Sequence, residues 1–344
     1  MTAPFTPRIV RLTVRLQRQQ RRLRRGLPLL ATVALLTSSA AGCVTVHGAE
    51  VLIPSVQPAG AQQALDRFAQ VSNEAYTRLD VSLNSRIETG ALGAIDQAGL
   101  KAQQINHPSG NPSYPPLHFS DAHFLIPQQR GWPKWFIANT ATNRGAERWL
   151  LVFTRNSVSE PWRVEYLSAI PQSQLPEIAI NASGYVEPVP VSSSDLVVPP
   201  DQLSAQYAAY LQQGDKGSSV FAGGSDTSGL KEQRRTQYAT TSQLVTQFAD
   251  EPADASQYPP VALRLADGGA LVFFTTHHVM RQTVAQGPVK ITDPDIGALM
   301  TGTPNKSVTF NKVAEEIVKV PAVSAAGKVT FLSRVEGLVS VSGQ

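Results

Sequence analysis

The sequence predicts an α+β protein of two units, each with helices followed by a curved antiparallel sheet. Two observations support this fold class. Apolar residues recur at three- and four-residue steps at the start of each half, and they alternate at steps of two in the segments that follow. The turns between the alternating segments are short, which favours antiparallel strands over parallel strands joined by helices. We therefore expect a first domain at 62–186 and a second at 203–344.

The first 42 residues have the organisation of a secretory signal. Eight arginines and no acidic residue precede or accompany a short apolar run from Leu27 to Gly42. This run is shorter than the roughly 20 apolar residues that a transmembrane helix needs. We expect residues 1–42 to direct export and to be removed from the mature chain.

The only cysteine of the chain, Cys43, follows Ala40-Ala41-Gly42 at the end of this run. The junction resembles the lipobox of bacterial lipoproteins, in which a peptidase cuts before the cysteine and the thiol carries a diacylglycerol. The resemblance implies that Cys43 is a lipidated N-terminus, anchored on the outer face of the cytoplasmic membrane. Ala40 stands where Leu, Val or Ile is more usual, so ordinary cleavage, for instance after Ala40, is the alternative.

Removal of the leader reverses the sign of the net charge. The chain has 30 Lys and Arg against 26 Asp and Glu; eight of the arginines lie in the leader, which leaves 22 basic groups and a net charge of about −4 from residue 43 on. Lys231 to Arg235 is the main basic cluster of the mature part, and its spacing is typical of one solvated helical face. A nucleic-acid-binding protein needs a broader basic surface, so we expect no nucleic-acid partner.

The first unit begins after a tether at 43–61 that contains Pro and Gly. From Gln62 an apolar face predicts one long helix that stops before Gly90, and a second helix is expected at 92–104. Alternating segments then predict four strands, at 118–127, 134–142, 147–157 and 161–170.

The second unit repeats this order after a Pro- and Ser-rich segment at 187–202, which we interpret as the interdomain linker. Helices are expected from Leu203 and at 230–250, separated by a loop. Four further strands are predicted at 260–267, 270–285, 306–320 and 328–341. The repeated order is the basis for a hypothesis of internal duplication.

A long amphipathic helix followed by a curved antiparallel sheet resembles the NTF2-like (cystatin-like) cone fold, over 62–180 and more loosely over 202–344. The leader, the junction "AAGCVTVHG" and the two-part layout are also similar to a family of uncharacterised actinobacterial lipoproteins built around a domain of unknown function. The second resemblance implies location and architecture and supplies no catalytic residues.

Motifs for catalysis or cofactors are missing from the sequence. His277 and His278 are adjacent on a predicted strand, so their side chains should point to opposite faces and not share a metal ion. Asp293-Pro294-Asp295 is typical of a turn, and no zinc motif, EF-hand loop or phosphate-binding loop is present. We therefore expect no metal, no other cofactor and no catalytic residue.

Four tryptophans, Trp132, Trp135, Trp149 and Trp162, fall within 31 residues of the first predicted sheet. Large aromatic side chains either fill a core or line a binding surface. We expect a non-catalytic binding or scaffolding module, with these residues as its possible surface for an envelope protein or an apolar small molecule. The alternative is an NTF2-like hydrolase or isomerase with a buried acid or base, for which Tyr76, Asp80 and Asp121 are the candidates.

Overall fold

The computed structural model describes residues 51–344 as an α+β fold with two main sheets. The helices are α1 (Pro58–Arg78), α2 (Val81–Asn84), α3 (Gly90–Asn106), α4 (Leu203–Gln213), α5 (Leu230–Gln237) and α6 (Pro294–Leu299). The strands are β1 (Ile53–Pro54), β2 (Phe119–Leu125), β3 (Gln128–Gln129), β4 (Lys134–Thr142), β5 (Arg148–Arg155), β6 (Arg163–Ile170), β7 (Leu244–Pro252), β8 (Val261–Arg264), β9 (Ala270–Val284), β10 (Met300–Gly302), β11 (Ser307–Val320) and β12 (Thr330–Gly343). The predicted α+β class is confirmed.

Helix α1 ends earlier than the apolar pattern predicts. Its buried face follows steps of three and four residues and consists of Ala61, Leu65, Phe68, Ser72 and Ala75. The chain then turns at Leu79, which has a left-handed φ of 55°. Asp80 accepts hydrogen bonds from the backbone N–H groups of Ser82 and Leu83 and so starts α2. The single long helix expected up to Gly90 is therefore two helices, because this cap interrupts it.

The first sheet has the strand order β2-β4-β5-β6, and all of its pairs are antiparallel. Alternation along the strands gives each face its own core. Phe136, Phe153 and Val164 point to the face that packs on Leu65 and Phe68 of α1. The opposite face carries Ile137, Leu150, Val152 and Tyr166.

The second sheet has the order β10-β12-β11-β9-β7, with β8 also paired to β9. The pair β10–β12 is parallel and the other pairs are antiparallel. Strand β7 was not expected, because the sequence predicts a helix over 230–250, whereas α5 ends at Gln237. The alternation of Leu244, Thr246 and Phe248 against Val245 and Gln247 is the local signal of this strand.

The two sheets share a hydrophobic core. Leu263, Leu271, Phe273, Val313 and Ile317 of the second sheet pack against the second face of the first sheet. Another core lies between α4 and the far side of β9 and β11, around Leu203, Tyr207 and Phe274. The described residues 51–344 accordingly lie in one compact unit. The division into separately folding domains at 62–186 and 203–344 stays a prediction.

The segment at 187–202 lies along the second sheet and does not run free between the halves. The N–H of Val189 donates to the carbonyl of Ala262 at 2.9 Å, and the N–H of Arg264 donates to the carbonyl of Glu187 at 2.9 Å. Leu196 and Val198 are buried in the core beneath α4. Its Pro residues are compatible with this position, because an edge segment leaves some backbone N–H groups unpaired.

Candidate functional site

The predicted lipidation site, Cys43, lies outside the described residues 51–344. Its role as the anchored N-terminus stays a prediction. Within 51–344, no helix combines the length and the apolar character needed to cross a bilayer.

The four tryptophans lie on both faces of the first sheet. Trp149 and Trp162 pack against the core beneath α1, and their rings contact Phe119 at 6.1 Å and Phe136 at 4.9 Å between centroids. Trp135 packs on the opposite face, against the core between the two sheets. Trp132 stands in the turn before β4 and is 45% exposed. The predicted binding surface is therefore not one continuous row, and its use in binding stays a prediction.

Arg155 connects two of these rings. Its guanidinium carbon lies 5.3 Å from the centre of the Trp132 ring and 4.4 Å from the centre of the Trp162 ring. Such contacts are favourable because the face of an indole ring carries negative charge density. Trp132, Trp162 and Arg155 thus meet at one end of the first sheet.

A pocket of about 470 Å³ opens where α1, α3 and α6 approach β12, and we name it the carboxyl pocket. Its larger apolar residues are Leu79, Ile95, Leu100, Leu299 and Leu338. Its polar residues are Tyr76, Asp96, Gln103, Asn111, Tyr114 and Asp295. The pocket is formed by both halves of the chain, because α1 and α3 belong to the first half and α6 and β12 to the second.

A chain of three acidic groups starts at the wall of this pocket. The hydroxyl of Tyr76 donates a hydrogen bond of 2.6 Å to Oδ2 of Asp96, and Asp96 in turn hydrogen-bonds Glu88. Glu88 is 2% exposed and is held in place by backbone pairing of residues 88 and 89 with Val164 of β6. The three side chains form one hydrogen-bonded path from the pocket into the protein.

Burial changes the protonation of this path. It raises the pKa of Asp96, and it raises the pKa of Glu88, which the charge of Asp96 raises further. Burial, together with the charges of Asp96 and Glu88, also raises the pKa of Tyr76. Two buried carboxyl groups that hydrogen-bond each other do not readily ionise together, so a proton held between them stabilises the pair. The pair can therefore both donate and accept a proton.

Glu165 and Glu315 are two further buried carboxyl groups. Burial raises the pKa of Glu165 to about 8. Burial also raises the pKa of Glu315, which is 3% exposed and accepts a hydrogen bond of 3.2 Å from the N–H of Leu167. The negative charge of Glu315 contributes to the raised pKa of Glu88. The carboxyl pocket thus stands over an unusually acidic interior.

The mouth of the pocket is aromatic and amide-rich. The rings of Tyr76 and Tyr114 stack with centroids 5.2 Å apart, and the guanidinium carbon of Arg144 lies 5.0 Å from the Tyr114 ring. Asp295 accepts hydrogen bonds of 2.6 Å from both Gln103 and Asn106. In the structure Asp293 caps α6, so the Asp-Pro-Asp segment that predicts a turn in fact begins a short helix and directs Asp295 to α3.

A second polar cluster lies beside β9, around a small pocket of about 120 Å³. Nδ1 of His278 lies 2.5 Å from Oδ1 of Asp250, and Arg234 donates to both oxygens of Asp250 at 2.7 and 2.9 Å. Nε2 of His278 lies 2.8 Å from the hydroxyl of Thr276, which donates to Glu316 at 2.5 Å. This hydroxyl, imidazole and carboxylate are connected as in a nucleophilic triad. Thr276 is 0% exposed, however, so no substrate reaches its hydroxyl.

Neighbouring charges set the protonation of this cluster. Burial lowers the pKa of His278, but hydrogen bonds with Asp250 and Glu316 outweigh it and leave the pKa raised. Burial raises the pKa of Glu336, whereas Arg334 and Lys312 lower it to about 2. Each charge thus has a partner of opposite sign, which is the arrangement of a structural ion network.

Sequence reasoning predicts the orientation of His277 and His278 but not the burial of Arg234. His277 is half-buried and contacts Tyr258, while His278 is buried, so the two imidazoles do point to opposite faces. Arg234, expected on a solvated face, has a side chain only 12% exposed because Asp250 of the unexpected strand β7 pairs with it. Among the described residues, no group of three or more His, Cys, Asp and Glu side chains is arranged to hold a metal ion.

Of the three acid–base candidates, only Tyr76 lines the carboxyl pocket. Asp80 caps α2, and Asp121 lies on the surface, where Arg148 lies 2.6 Å and His123 3.0 Å away. Sequence reasoning missed Asp96 and Glu88. A usable signal was the placement of Asp96 as the one charged residue in the first turns of the small and apolar helix "GALGAIDQAGL".

Comparison with known proteins identifies relatives of the whole chain. Residues 53–343 match the family model described as a domain of unknown function (DUF8094). The chain is similar to "Uncharacterized lipoprotein SCO2278" of Streptomyces coelicolor, with 43% identity over 95% of this chain and 98% of that protein. It is also similar to an "Uncharacterized lipoprotein" of Streptomyces avermitilis, with 43% identity over 91% of this chain and 93% of that protein. No solved structure matches the chain. The chain therefore belongs to the DUF8094 family, as its resemblance to uncharacterised actinobacterial lipoproteins predicts.

Proposed function

We propose that the protein is a lipid-anchored, non-catalytic binding module on the outer face of the cytoplasmic membrane. In this proposal Cys43 carries the lipid, and the carboxyl pocket takes a small, partly apolar molecule that is uncharged or positively charged. The printed names of the relatives, which call them lipoproteins, support the anchor. The carboxyl pocket supports the binding function.

The observation that carries the proposal is the composition of the pocket. Its volume of about 470 Å³ is in the range of small-molecule sites, and its walls combine apolar side chains with a few polar groups. Among the described residues that line it, none is Lys, Arg or His, while two are Asp. An anionic ligand would meet Asp96 and Asp295, whereas Arg144 at the mouth lies over the Tyr114 ring and outside the lining, so the lining favours a neutral or cationic ligand.

A cationic group finds two complementary features here. It would stabilise the ionised form of Asp96, whose pKa burial otherwise raises. The stacked rings of Tyr76 and Tyr114 offer an aromatic face to the same group. The apolar residues, among them Leu100 and Leu338, would cover a hydrocarbon portion of the molecule.

A matched pair of probes tests this function. Hexylamine and hexanoate have similar chains and opposite charges at neutral pH, and each is added to the protein while its melting temperature Tm is measured. We expect hexylamine to raise Tm and hexanoate to leave it unchanged, because a ligand that binds the folded state stabilises it. Asp96→Asn should remove the effect of hexylamine, whereas Asp121→Asn, at an exposed carboxylate, should keep it. Equal shifts with both probes, or a shift that survives Asp96→Asn, would contradict the proposal.

The second candidate function is an acid–base enzyme, a hydrolase or isomerase. The specific observation in its favour is the pair of buried, hydrogen-bonded carboxyl groups of Asp96 and Glu88, with Asp96 at the wall of the pocket, since enzymes use such desolvated carboxyl groups. Loss of deuterium from α-deuterated cyclohexanone distinguishes the two functions. Exchange that depends on Asp96 and Tyr76 would support the enzyme, and exchange no faster than in buffer would support the binding module.

We also propose that each half is a cone-like unit related to NTF2-like domains. In the first half, α1 to α3 precede and cover an antiparallel sheet, and in the second half α4 and α5 precede a larger sheet. This repeated order supports a duplication. The tryptophan-bearing end of the first sheet is the second place at which an envelope protein or apolar ligand would bind.

A further inference from the structure

Exposed apolar side chains gather at one end of the first sheet. Ten large apolar residues of the described chain are exposed, and five of them lie in β1, in the two residues before it, and in the turns that precede β4 and follow β5. These five are Val51 at 73%, Leu52 at 50%, Ile53 at 48%, Trp132 at 45% and Val158 at 76% exposure. We call them the anchor-end patch. A cluster of this kind marks a site of interaction, whereas single exposed apolar residues do not.

Pairing of the backbone brings the members of the patch together. Ile53 pairs with Gln129 in an antiparallel register, which continues the chain at Leu52 and Val51 towards Arg130 and Gly131, next to Trp132. On the other side, Nη1 of Arg155 donates to the carbonyl of Val158 at 3.5 Å while its guanidinium lies over the Trp132 ring. The start of the described chain, the Trp132 turn and the Val158 turn therefore adjoin one another.

The polar groups around the patch are suited to lipid headgroups. Arg130 is exposed beside Trp132, and the guanidinium carbon of Arg155 lies 5.3 Å from the centre of the Trp132 ring. Guanidinium groups bind phosphate in a fork-like geometry, and tryptophan prefers the boundary between acyl chains and water. The acidic residue of the Val158 turn, Glu160, accepts a hydrogen bond from the N–H of Asn156. The mature chain carries a net negative charge, but Arg130 and Arg155 make this end of the molecule locally positive. This end is therefore attracted to an anionic membrane surface.

The length of chain before the patch limits how far it lies from a lipid anchor. Val51 follows Cys43 by eight positions in the chain. A fully extended chain spans at most roughly 3.6 Å per residue, so Val51 is within about 29 Å of a lipidated Cys43. The end of the molecule that carries the patch is thus the end nearest the bilayer.

We propose that the anchor-end patch rests on the anionic phospholipid surface, with Trp132 at the level of the headgroups and Arg130 and Arg155 on lipid phosphates. This inference depends on the proposed lipid anchor at Cys43. The contact fixes the orientation of the protein on the membrane, because a single lipid on a short tether would otherwise leave the domain free to rotate.

Fluorescence quenching by brominated lipids tests the contact. The full-length lipidated protein is reconstituted in vesicles of phosphatidylglycerol and phosphatidylcholine, with bromine on the acyl chains of the phosphatidylcholine or without it. We expect brominated vesicles to reduce the tryptophan emission of the wild-type protein. Trp132→Phe should abolish most of this reduction. Trp149→Phe should preserve it, because Trp149 lies at the opposite end of β5 from Arg155.

The possible results distinguish a missing contact between the anchor-end patch and the membrane from a missing lipid anchor. Protein that fails to float with the vesicles in a density gradient has no anchor, which removes the premise and the inference with it. Protein that floats with undiminished wild-type emission overturns the contact and leaves the anchor intact, and it would assign the patch to a protein partner. Val158→Asp is a further check, since it should weaken quenching of Trp132 while flotation is unchanged.

Discussion

The imidazole of His278 and the carboxylate of Asp250 join β9 to β7 through a contact of 2.5 Å between Nδ1 and Oδ1, with both side chains no more than 3% exposed. Arg234 completes the contact from α5. The three residues tie the edge strand and the short helix to the centre of the second sheet.

Asp250→Asn should destabilise the fold by about 3–5 kcal/mol, because it removes the carboxylate that pairs with the largely buried Arg234 and leaves Glu316 as the remaining acidic partner of His278. Urea unfolding measures the loss. His277→Gln is the matched control: it changes the neighbouring, half-buried imidazole and should cost far less. A small effect of Asp250→Asn would show that the cluster adds little to stability.

Stability should fall as the pH rises from 5 to 8. Burial raises the folded pKa of Glu165 to about 8, so the folded state holds a proton that the unfolded state releases near pH 4.5. The raised pKa of His278 acts in the same direction, and its contribution is lost as pH rises through the folded pKa. The lowered pKa of His277 opposes them. Each such proton contributes a slope of about 1.4 kcal/mol per pH unit.

Glu165→Gln identifies the source of this slope. The amide imitates the neutral carboxyl group, so the variant should match the wild type near pH 5 and exceed its stability near pH 8. Unfolding free energies at several pH values provide the measurement. Parallel curves for the two proteins would assign the slope to other groups.

Cys43→Ser should produce a protein that is not lipidated and is either unprocessed or released from the membrane. Intact mass shows the difference, since the mature wild-type chain should begin at residue 43 and carry the added lipid. Ala40 makes cleavage elsewhere a definite alternative, and a wild-type mature chain with a free thiol would establish it.

Gly337→Ala should destabilise the protein by about 1–3 kcal/mol through overpacking. A β-carbon at Gly337 would lie 2.2 Å from Cγ2 of Ile95, where α3 crosses β12. Gly99 is the control, and it lies on α3, the helix that carries Ile95. A β-carbon at Gly99 meets nothing within 4 Å, so Gly99→Ala should stabilise the protein by roughly 1 kcal/mol through helix propensity. Ile95→Ala in the Gly337→Ala background should recover part of the loss.

Periodicity predicts most of the strands and the α+β class because each strand has one register that buries its apolar side chains. Strand β4 occupies 134–142 as expected, and β9 and β11 lie within a residue of their predicted bounds. The sequence does not predict strand β7. Lys231, Arg234 and Arg235 give the residues before it a strong helical pattern, so the predicted helix extends over the strand. The early stop of α1 depends on the left-handed turn at Leu79, a residue that rarely adopts it.

The carboxyl pocket is less predictable, since its residues come from segments more than 150 positions apart, such as Tyr76 and Gly337. Only the tertiary contact of α3 with β12 brings them together. Asp80 shows that a local sequence pattern can also suggest the wrong role for a side chain. A carboxylate on a helical face suggests an acid–base group, but its two hydrogen bonds to Ser82 and Leu83 make it a cap.

The core shared by the two sheets also affects how the chain is made. Synthesis proceeds from the N-terminus, so the first sheet is complete before the strands that cover Ile137, Leu150 and Tyr166 have left the ribosome. Until those strands follow, this apolar face has no partner and is prone to aggregate. A nascent chain halted near residue 200 is therefore expected to be a client of chaperones, whereas the finished protein hides the same surface.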